Sequence, residues 1–195
     1  WESPIFSDRM DHLILNPHWN VPESIAADEI LPAIAKDPKY LEKHDLEVVA
    51  PDAETVVPIR KVNWEEFNNH FRFRQRPGPR NALGRIKFMF PNEHAVYLHD
   101  TPARELFERP ERVFSSGCIR IEDPLTLAER LLHDAVHWDR SGLEAAIATG
   151  KTQRIRLPRE VSILLLYLTA FPDDDGAVAF RHDVYGRDGR VLAAL

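Results

Sequence analysis

Short runs in which apolar and polar residues alternate recur along the chain, and this pattern predicts a mainly β fold. The clearest run, Phe-Arg-Phe-Arg-Gln-Arg at residues 71–76, places two aromatic rings on one face of a strand and three arginines on the other. The long apolar run at residues 161–171 predicts a central, buried strand. Other strand-like runs lie at residues 13–15, 46–49, 56–59, 85–90, 95–99, 119–121, 154–157 and 178–185. An Asp- and Gly-containing turn at residues 173–176 predicts a hairpin between the last two runs.

Helices are predicted in two places. Short helical pieces lie between residues 23 and 46, before most of the strands. After residue 121, Asp123 and Pro124 begin a helix whose apolar residues fall on one stripe, and a capping box at Ser141 begins a second helix that Gly150 ends. These elements predict an α+β fold that is mainly β with helical decoration.

Composition limits the classes of function. A chain of 195 residues is long enough for one well-buried domain, and its net charge of −6 argues against wholesale binding to nucleic acid or to an anionic membrane. No apolar run approaches the length of a membrane span, and a single cysteine excludes an internal disulfide. The chain opens without Met, so we expect it to be a processed or truncated piece of a longer protein, separated from any export signal.

Cys118 is the candidate nucleophile, and His99 is the candidate base. Cys118 lies in a Ser- and Gly-containing turn that runs into a strand-like segment, and His99 ends another such segment. A free thiol is only a few per cent ionised at neutral pH, so a nucleophilic cysteine needs a base or a cation beside it. Pairing of the two segments in one sheet would bring imidazole and thiol together. On spacing alone, a buried cysteine with an unrelated histidine is the commoner arrangement.

Two further features have both functional and structural interpretations. Six cations between Arg72 and Lys87 form a basic band, which predicts either an anion-binding surface or a solvated strand face. His133 and His137 imitate the paired histidines of a zinc protease. However, Asp134 replaces the required Glu and a third ligand is missing, so no metal site is predicted.

The residues around Cys118 resemble the catalytic domain of the L,D-transpeptidase (YkuD) family. The resemblance rests on Ser-Ser-Gly-Cys-Ile-Arg at residues 115–120, Tyr-Leu-His-Asp at 97–100 and Asn-Ala-Leu-Gly at 81–84. In that family a histidine precedes a Ser/Thr-X-Gly-Cys-X-Arg/Asn block, usually with His at the first X. Ser116 stands at that position here, and Asp100 follows His99 where many relatives have Gly, which is similar to the YcbB-like branch of large periplasmic enzymes. The resemblance extends from about residue 16 to about residue 185.

The resemblance implies one β-sandwich-like catalytic domain over residues 1–195, with roughly residues 18–60 as a small helical capping subdomain, or lid. It also implies a periplasmic enzyme that remodels peptidoglycan. The donor would be a tetrapeptide stem that is cut after its third residue with release of D-Ala. The acceptor would be the side-chain amine of a second diaminopimelate. No cofactor is implied, and carbapenem-type β-lactams are expected to acylate Cys118.

The resemblance also assigns roles to single residues. His99 would take the proton of Cys118, and the backbone carbonyl of Asp100 would hold the other ring nitrogen of His99. Backbone N–H groups of Gly117 and Cys118, with the Tyr97 hydroxyl, would hold the oxyanion.

Four residues are expected to contact substrate. Arg120 would order the catalytic turn or meet a substrate carboxylate, and Ser116 lies in the same turn. Arg80 and Trp19 are further contacts, although a core position is the slightly favoured interpretation of Trp19.

Two alternatives stay open. A hydrolytic member would pass the acyl group to water and act as a carboxypeptidase or endopeptidase. A domain that binds the cell wall without catalysis is disfavoured because Cys118 and His99 are both present.

Overall fold

The computed structural model describes residues 2–64, 67–115, 117–134 and 136–194. Its strands are β1 (Phe6–Leu15), β2 (Trp19–Asn20), β3 (Leu46–Val49), β4 (Arg72–Gln75), β5 (Ile86–Met89), β6 (Leu98–His99), β7 (Ile119–Arg120), β8 (Gln153–Leu165), β9 (Ala170–Pro172) and β10 (Val178–Phe180). Its α-helices are α1 (Glu23–Ile25), α2 (Leu31–Lys36), α3 (Tyr40–Lys43), α4 (Phe67–His70), α5 (Pro124–Leu132), α6 (Arg140–Ala148) and α7 (Asp188–Ala194). A π-helical stretch, Ala26–Ile30, joins α1 to α2, and 3-10 turns occupy Ile59–Lys61 and Arg104–Glu108. The mixture of sheets and helices is the α+β class that the sequence predicts.

A five-stranded sheet in the order β7-β6-β5-β1-β8 forms the centre of the molecule. Its neighbouring strands are antiparallel except β6 and β7, which are parallel. Strand alternation sends Leu13, Leu15, Ile86 and Phe88 to one face, where all four are fully buried. Helices α5 and α6 cover this face with their apolar stripes, which include Leu125, Ala128, Leu132 and Leu143. The opposite face of the sheet is therefore free to carry polar chemistry.

A second hydrophobic core lies under a three-stranded sheet in the order β2-β4-β3. The predicted aromatic face of β4 points into it, since Phe73 is completely buried there. The predicted capping segment, residues 18–60, supplies most of this core, and residues 62–73 complete it. Its other buried members are Val21, Ala26, Ile30, Leu41, Leu46, Val48, Val62 and Phe67.

Three sequence predictions about elements need comment. The hairpin across the turn at residues 173–176 is confirmed by the pairing of β9 with β10. The prediction of a central, buried strand at residues 161–171 is wrong, because β8 is an edge strand and Leu164 is 62% exposed. The second helix is capped by Asp139, whose carboxylate accepts the Gly142 N–H at 2.8 Å, and not by Ser141.

The structure also removes the resemblance of His133 and His137 to the paired histidines of a zinc protease. Helix α5 ends at Leu132, and His133 adopts a left-handed conformation with φ of 49°. His133 and His137 are therefore not one turn apart on a helix. None of the helices in the described ranges is long and apolar enough to cross a membrane.

Candidate active site

Parallel pairing of β6 with β7 brings the predicted nucleophile and base onto one face of the central sheet. The Ile119 N–H donates to the Tyr97 carbonyl at 3.1 Å, and Leu98 stands opposite Ile119 in the register. One position earlier in each strand, Tyr97 therefore stands beside Cys118. One position later, His99 stands opposite Arg120. Since alternate residues of a strand share a face, Tyr97, His99, Cys118 and Arg120 all belong to the face that the core does not occupy.

His99 is held as a neutral base. Its ring is buried, and Nδ1 donates to the backbone carbonyl of Asp100, as the family resemblance implies. This bond leaves Nε2 as the proton acceptor. Burial is the main cause that lowers the pKa of His99 to about 4, and the positive charges of Arg120 and Lys87 lower it further against the opposing effect of Asp100. At neutral pH the imidazole is therefore uncharged.

The side chain of Asp100 fixes the backbone that orients His99. Its buried carboxylate accepts the Arg85 N–H and the Thr101 N–H, each at 2.8 Å, and the guanidinium of Arg104. Gly84 packs against it with φ of 60°, and a Cβ atom at Gly84 would lie 2.4 Å from the carboxyl group. Asp100 thus acts on His99 through its carbonyl oxygen, while its carboxylate braces the turn.

The polar neighbour of the Cys118 thiol is Tyr97. The register places the two residues side by side, and burial, followed by the influence of Cys118, raises the pKa of Tyr97. The Tyr97 ring meets the His99 ring edge-on, with 5.8 Å between centroids and 63° between planes. Within the described residues, no direct hydrogen bond joins His99 to Cys118.

The backbone before Cys118 is a strained turn held by two serines. Gly117 has φ of 111°, which disfavours any other residue there. Its N–H donates to Ser115 Oγ at 3.2 Å, and its carbonyl accepts from Ser3 Oγ at 3.0 Å. The Gly117 N–H must therefore leave Ser115 before it can hold an oxyanion, whereas the Cys118 N–H has no acceptor among the described residues. Ser116, predicted to contact substrate, lies outside those residues.

A cavity of about 260 Å³ opens beside Cys118. Arg120 lines it and donates through Nη2 to the Phe114 carbonyl at 3.2 Å. The other two guanidinium nitrogens of Arg120, Nε and Nη1, are buried and have no hydrogen-bond partner within the described part of the chain. Ser3 and Tyr185, from opposite ends of the chain, also line the cavity.

Arg80 and Trp19 lie away from this cavity. Both the Nε and Nη2 atoms of Arg80 donate to Asp45, at 2.9 and 2.7 Å. Trp19 belongs to β2 and packs, half-buried, against the second core. Their predicted substrate contacts stay predictions.

Ion pairs account for most of the predicted basic band. They join Arg72 to Glu23, Arg74 to Glu47, Arg76 and Arg80 to Asp45, and Arg85 to Asp100. Lys87, the last cation of the band, has no carboxylate within ion-pair distance among the described residues. Its Nζ atom lies 3.7 Å above the centroid of the Tyr97 ring. The sequence did not single it out, although its place between Ile86 and Phe88 in an alternating run indicates that it faces away from the core.

Comparison with known proteins decides the family. The YkuD model, described as the L,D-transpeptidase catalytic domain, matches residues 1–154. The chain belongs to the YkuD family. A protein of Haemophilus influenzae (strain ATCC 51907 / DSM 11121 / KW20 / Rd) named "Putative L,D-transpeptidase" is 33% identical over 193 residues, covering 98% of this chain and 39% of that protein. The chain thus spans about two fifths of the length of this relative.

Proposed function

We propose that this YkuD domain is a cysteine-dependent peptidoglycan L,D-transpeptidase that acts in the periplasm. One observation carries the proposal: a neutral, oriented His99 and the only thiol of the chain share one face of paired strands. Family membership supports the acyl-transfer class, because the family is described by its L,D-transpeptidase catalytic domain.

Acylation begins at Cys118. His99 Nε2 takes the thiol proton, and the sulfur attacks the carbonyl carbon of the third stem residue, so that a C–S bond forms. The tetrahedral intermediate then breaks its C–N bond to the terminal D-Ala. The amine leaves with the proton that His99 returns, and a thioester remains on Cys118.

The oxyanion has three candidate donors. The Cys118 N–H is free of other acceptors among the described residues, and Tyr97 stands beside Cys118 in the register. The Gly117 N–H joins them once it leaves Ser115. One such donor is commonly worth about 3 kcal/mol of transition-state stabilisation.

Transfer completes the cycle. The side-chain amine of an acceptor diaminopimelate gives a proton to His99 and attacks the thioester, forming the new amide. His99 then returns its proton to the departing thiolate. Water in place of the amine would give the carboxypeptidase or endopeptidase reaction with the same residues.

Arg120 is the proposed substrate-carboxylate partner. A buried guanidinium nitrogen without a partner costs free energy, which an arriving carboxylate would recover through charge-assisted hydrogen bonds. Peptidoglycan stems are rich in carboxylates, so this residue suits the proposed donor.

The remaining proposals concern the surroundings of the site. Residues 18–60, with their own core, are proposed to act as the lid that covers bound substrate. Carbapenem-type β-lactams are proposed to acylate Cys118, because the thiolate would attack the β-lactam carbonyl as it attacks the carbonyl of the proposed donor. The reaction needs no cofactor.

Product analysis tests the proposal. The protein and its variant Cys118→Ala are each incubated with a disaccharide-tetrapeptide, and the products of both reactions are identified by mass spectrometry. A dimer that lacks one D-Ala, absent from the variant reaction, is the expected result. If tripeptide is the only product, the protein catalyses the hydrolytic reaction and not transpeptidation. Products that persist in Cys118→Ala would contradict the proposed nucleophile.

A further inference from the structure

Lys87 occupies an unusual position for a lysine. It stands directly opposite His99 in the antiparallel pairing of β5 with β6, and so faces the same side of the sheet as the active site. Its side chain is half-buried. The described residues offer it no carboxylate, although every arginine of the same basic band has one.

An ammonium group buried in this way is costly unless something compensates it. Burial lowers the pKa of Lys87, and the opposing influence comes from Cys118 alone. The ring face of Tyr97 supplies part of the compensation as a cation–π contact. The rest of the cost of burying the Lys87 charge is not offset while the Cys118 thiol is neutral. A negatively charged sulfur would offset it.

Tyr97 links Lys87 to the nucleophile. One face of its ring meets the Lys87 ammonium, and the parallel register of β6 with β7 places Tyr97 beside Cys118. The Tyr97 ring also contacts the His99 ring edge-on, so the side chains of Lys87, Tyr97 and His99 form one packed group beside Cys118. Fixing this ring therefore fixes the position of Tyr97 beside the nucleophile.

We propose that Lys87 is a positioning residue of the active site, which locks Tyr97 against Cys118 and supplies a fixed positive charge that stabilises the thiolate. The proposal rests on the proposed function, because it assumes that Cys118 is the nucleophile. The proton that leaves the sulfur goes to His99, and Lys87 keeps its own protons throughout.

The surroundings of Lys87 make its charge effective. Tyr97, which precedes β6, His99 of β6, Cys118, which precedes β7, and Arg120 of β7 are the titratable or charged groups that the described residues place on that side. On the other side Ile14 of β1, its partner in the register, is apolar. When the thiol loses its proton to solvent and not to His99, the imidazole stays neutral, and the nearby cations are then the charges that stabilise the thiolate.

Alkylation of Cys118 by iodoacetamide, an uncharged reagent, measures thiolate formation without any peptidoglycan substrate. The rate is followed by intact mass from pH 6 to pH 10 in the wild type, Lys87→Met and Lys87→Arg. Lys87→Met keeps the length of the chain and removes the charge, whereas Lys87→Arg keeps the charge and the contact with the ring.

Lys87→Met should react about tenfold more slowly than the wild type at pH 7, because one nearby charge is lost. The difference should close at pH 10, where the thiol ionises without help and where Lys87, whose pKa is lowered by burial, also loses its charge. Lys87→Arg should recover most of the rate at pH 7. A purely structural lysine would instead slow the reaction equally at every pH, and that result would overturn the proposal.

Arg154→Met is the matched control. Arg154 pairs with Ile14, as Lys87 does, and so belongs to the same row of the sheet on the far side of β1. Four strand spacings, roughly 19 Å, separate β8 from the β7 end of the sheet and place the charge of Arg154 well beyond the screening length at physiological salt. This variant should alkylate at the wild-type rate; a loss equal to that of Lys87→Met would mean that net charge alone acts.

Turnover of the disaccharide-tetrapeptide separates this proposal from the proposed function. If the wild type makes the product but Lys87→Met alkylates normally, only the role of Lys87 fails. If alkylation depends on Lys87 as expected but no stem is processed, the assignment of substrate fails and the positioning role stands.

Discussion

Acidification should destabilise the fold through His99. The neutral imidazole is preferred in the folded state, where burial brings the pKa to about 4 from an ordinary value of 6.5. As the pH falls below 6.5, the unfolded chain binds a proton first, so stability is lost until the folded state also protonates near pH 4. The difference between these two pKa values corresponds to about 3 kcal/mol of unfolding free energy. Solvent screens little of this effect, because His99 is only 5% exposed.

Chemical denaturation at several pH values between 7 and 4 measures this loss. The wild type is compared with His99→Gln, which cannot titrate, so that the carboxylates common to both proteins cancel. The wild type should lose about 3 kcal/mol more than the variant over this range. Parallel stability curves, or an imidazole NMR titration with a midpoint near 6.5, would refute the argument from burial.

Two pairs of substitutions test packing. Gly84→Ala should lower the free energy of unfolding by about 3 kcal/mol, because the new Cβ atom sits on a left-handed backbone and collides with a buried carboxyl group. Gly176→Ala should lose only the conformational part, since Gly176 has φ of 80° and no atom within 4 Å of the new Cβ position. Equal shifts in the denaturant midpoints of the two variants would contradict the collision. Leu143→Ala, at a fully buried position, should cost about 3 kcal/mol, and Leu164→Ala on the exposed edge strand less than about 0.5 kcal/mol, as measured by equilibrium unfolding.

The sequence predicted the segments of the active site but not their alignment. Strand-like runs ending at His99 and beginning after Cys118 were visible, and the family motif joined them. The parallel register that places Tyr97 beside Cys118 depends on hydrogen bonds between segments about twenty residues apart, which local patterns do not encode. Lys87 was missed for the same reason, because only the register with β6 places it opposite His99.

Long-range contacts also limited the predictions at the edge of the fold. The apolar run in β8 resembled a buried strand, yet its position at the end of the sheet leaves Leu164 exposed. The basic band resembled an anion-binding surface because its carboxylate partners, including Glu23 and Asp45, lie far away in sequence. Ser3 donates to the Gly117 carbonyl of the catalytic turn although the two residues are 114 positions apart, so the sequence pattern could not predict this contact.

The central claim is that Cys118 carries the acyl group and His99 takes its proton. The most direct test is intact-mass analysis of the protein after incubation with a carbapenem, with peptide mapping of the adduct in the wild type, Cys118→Ala and His99→Gln. The account predicts one adduct on Cys118, none in Cys118→Ala, and a rate lower by about 100-fold or more in His99→Gln at neutral pH. An adduct that survives in Cys118→Ala, or that forms at an unchanged rate without His99, would contradict it.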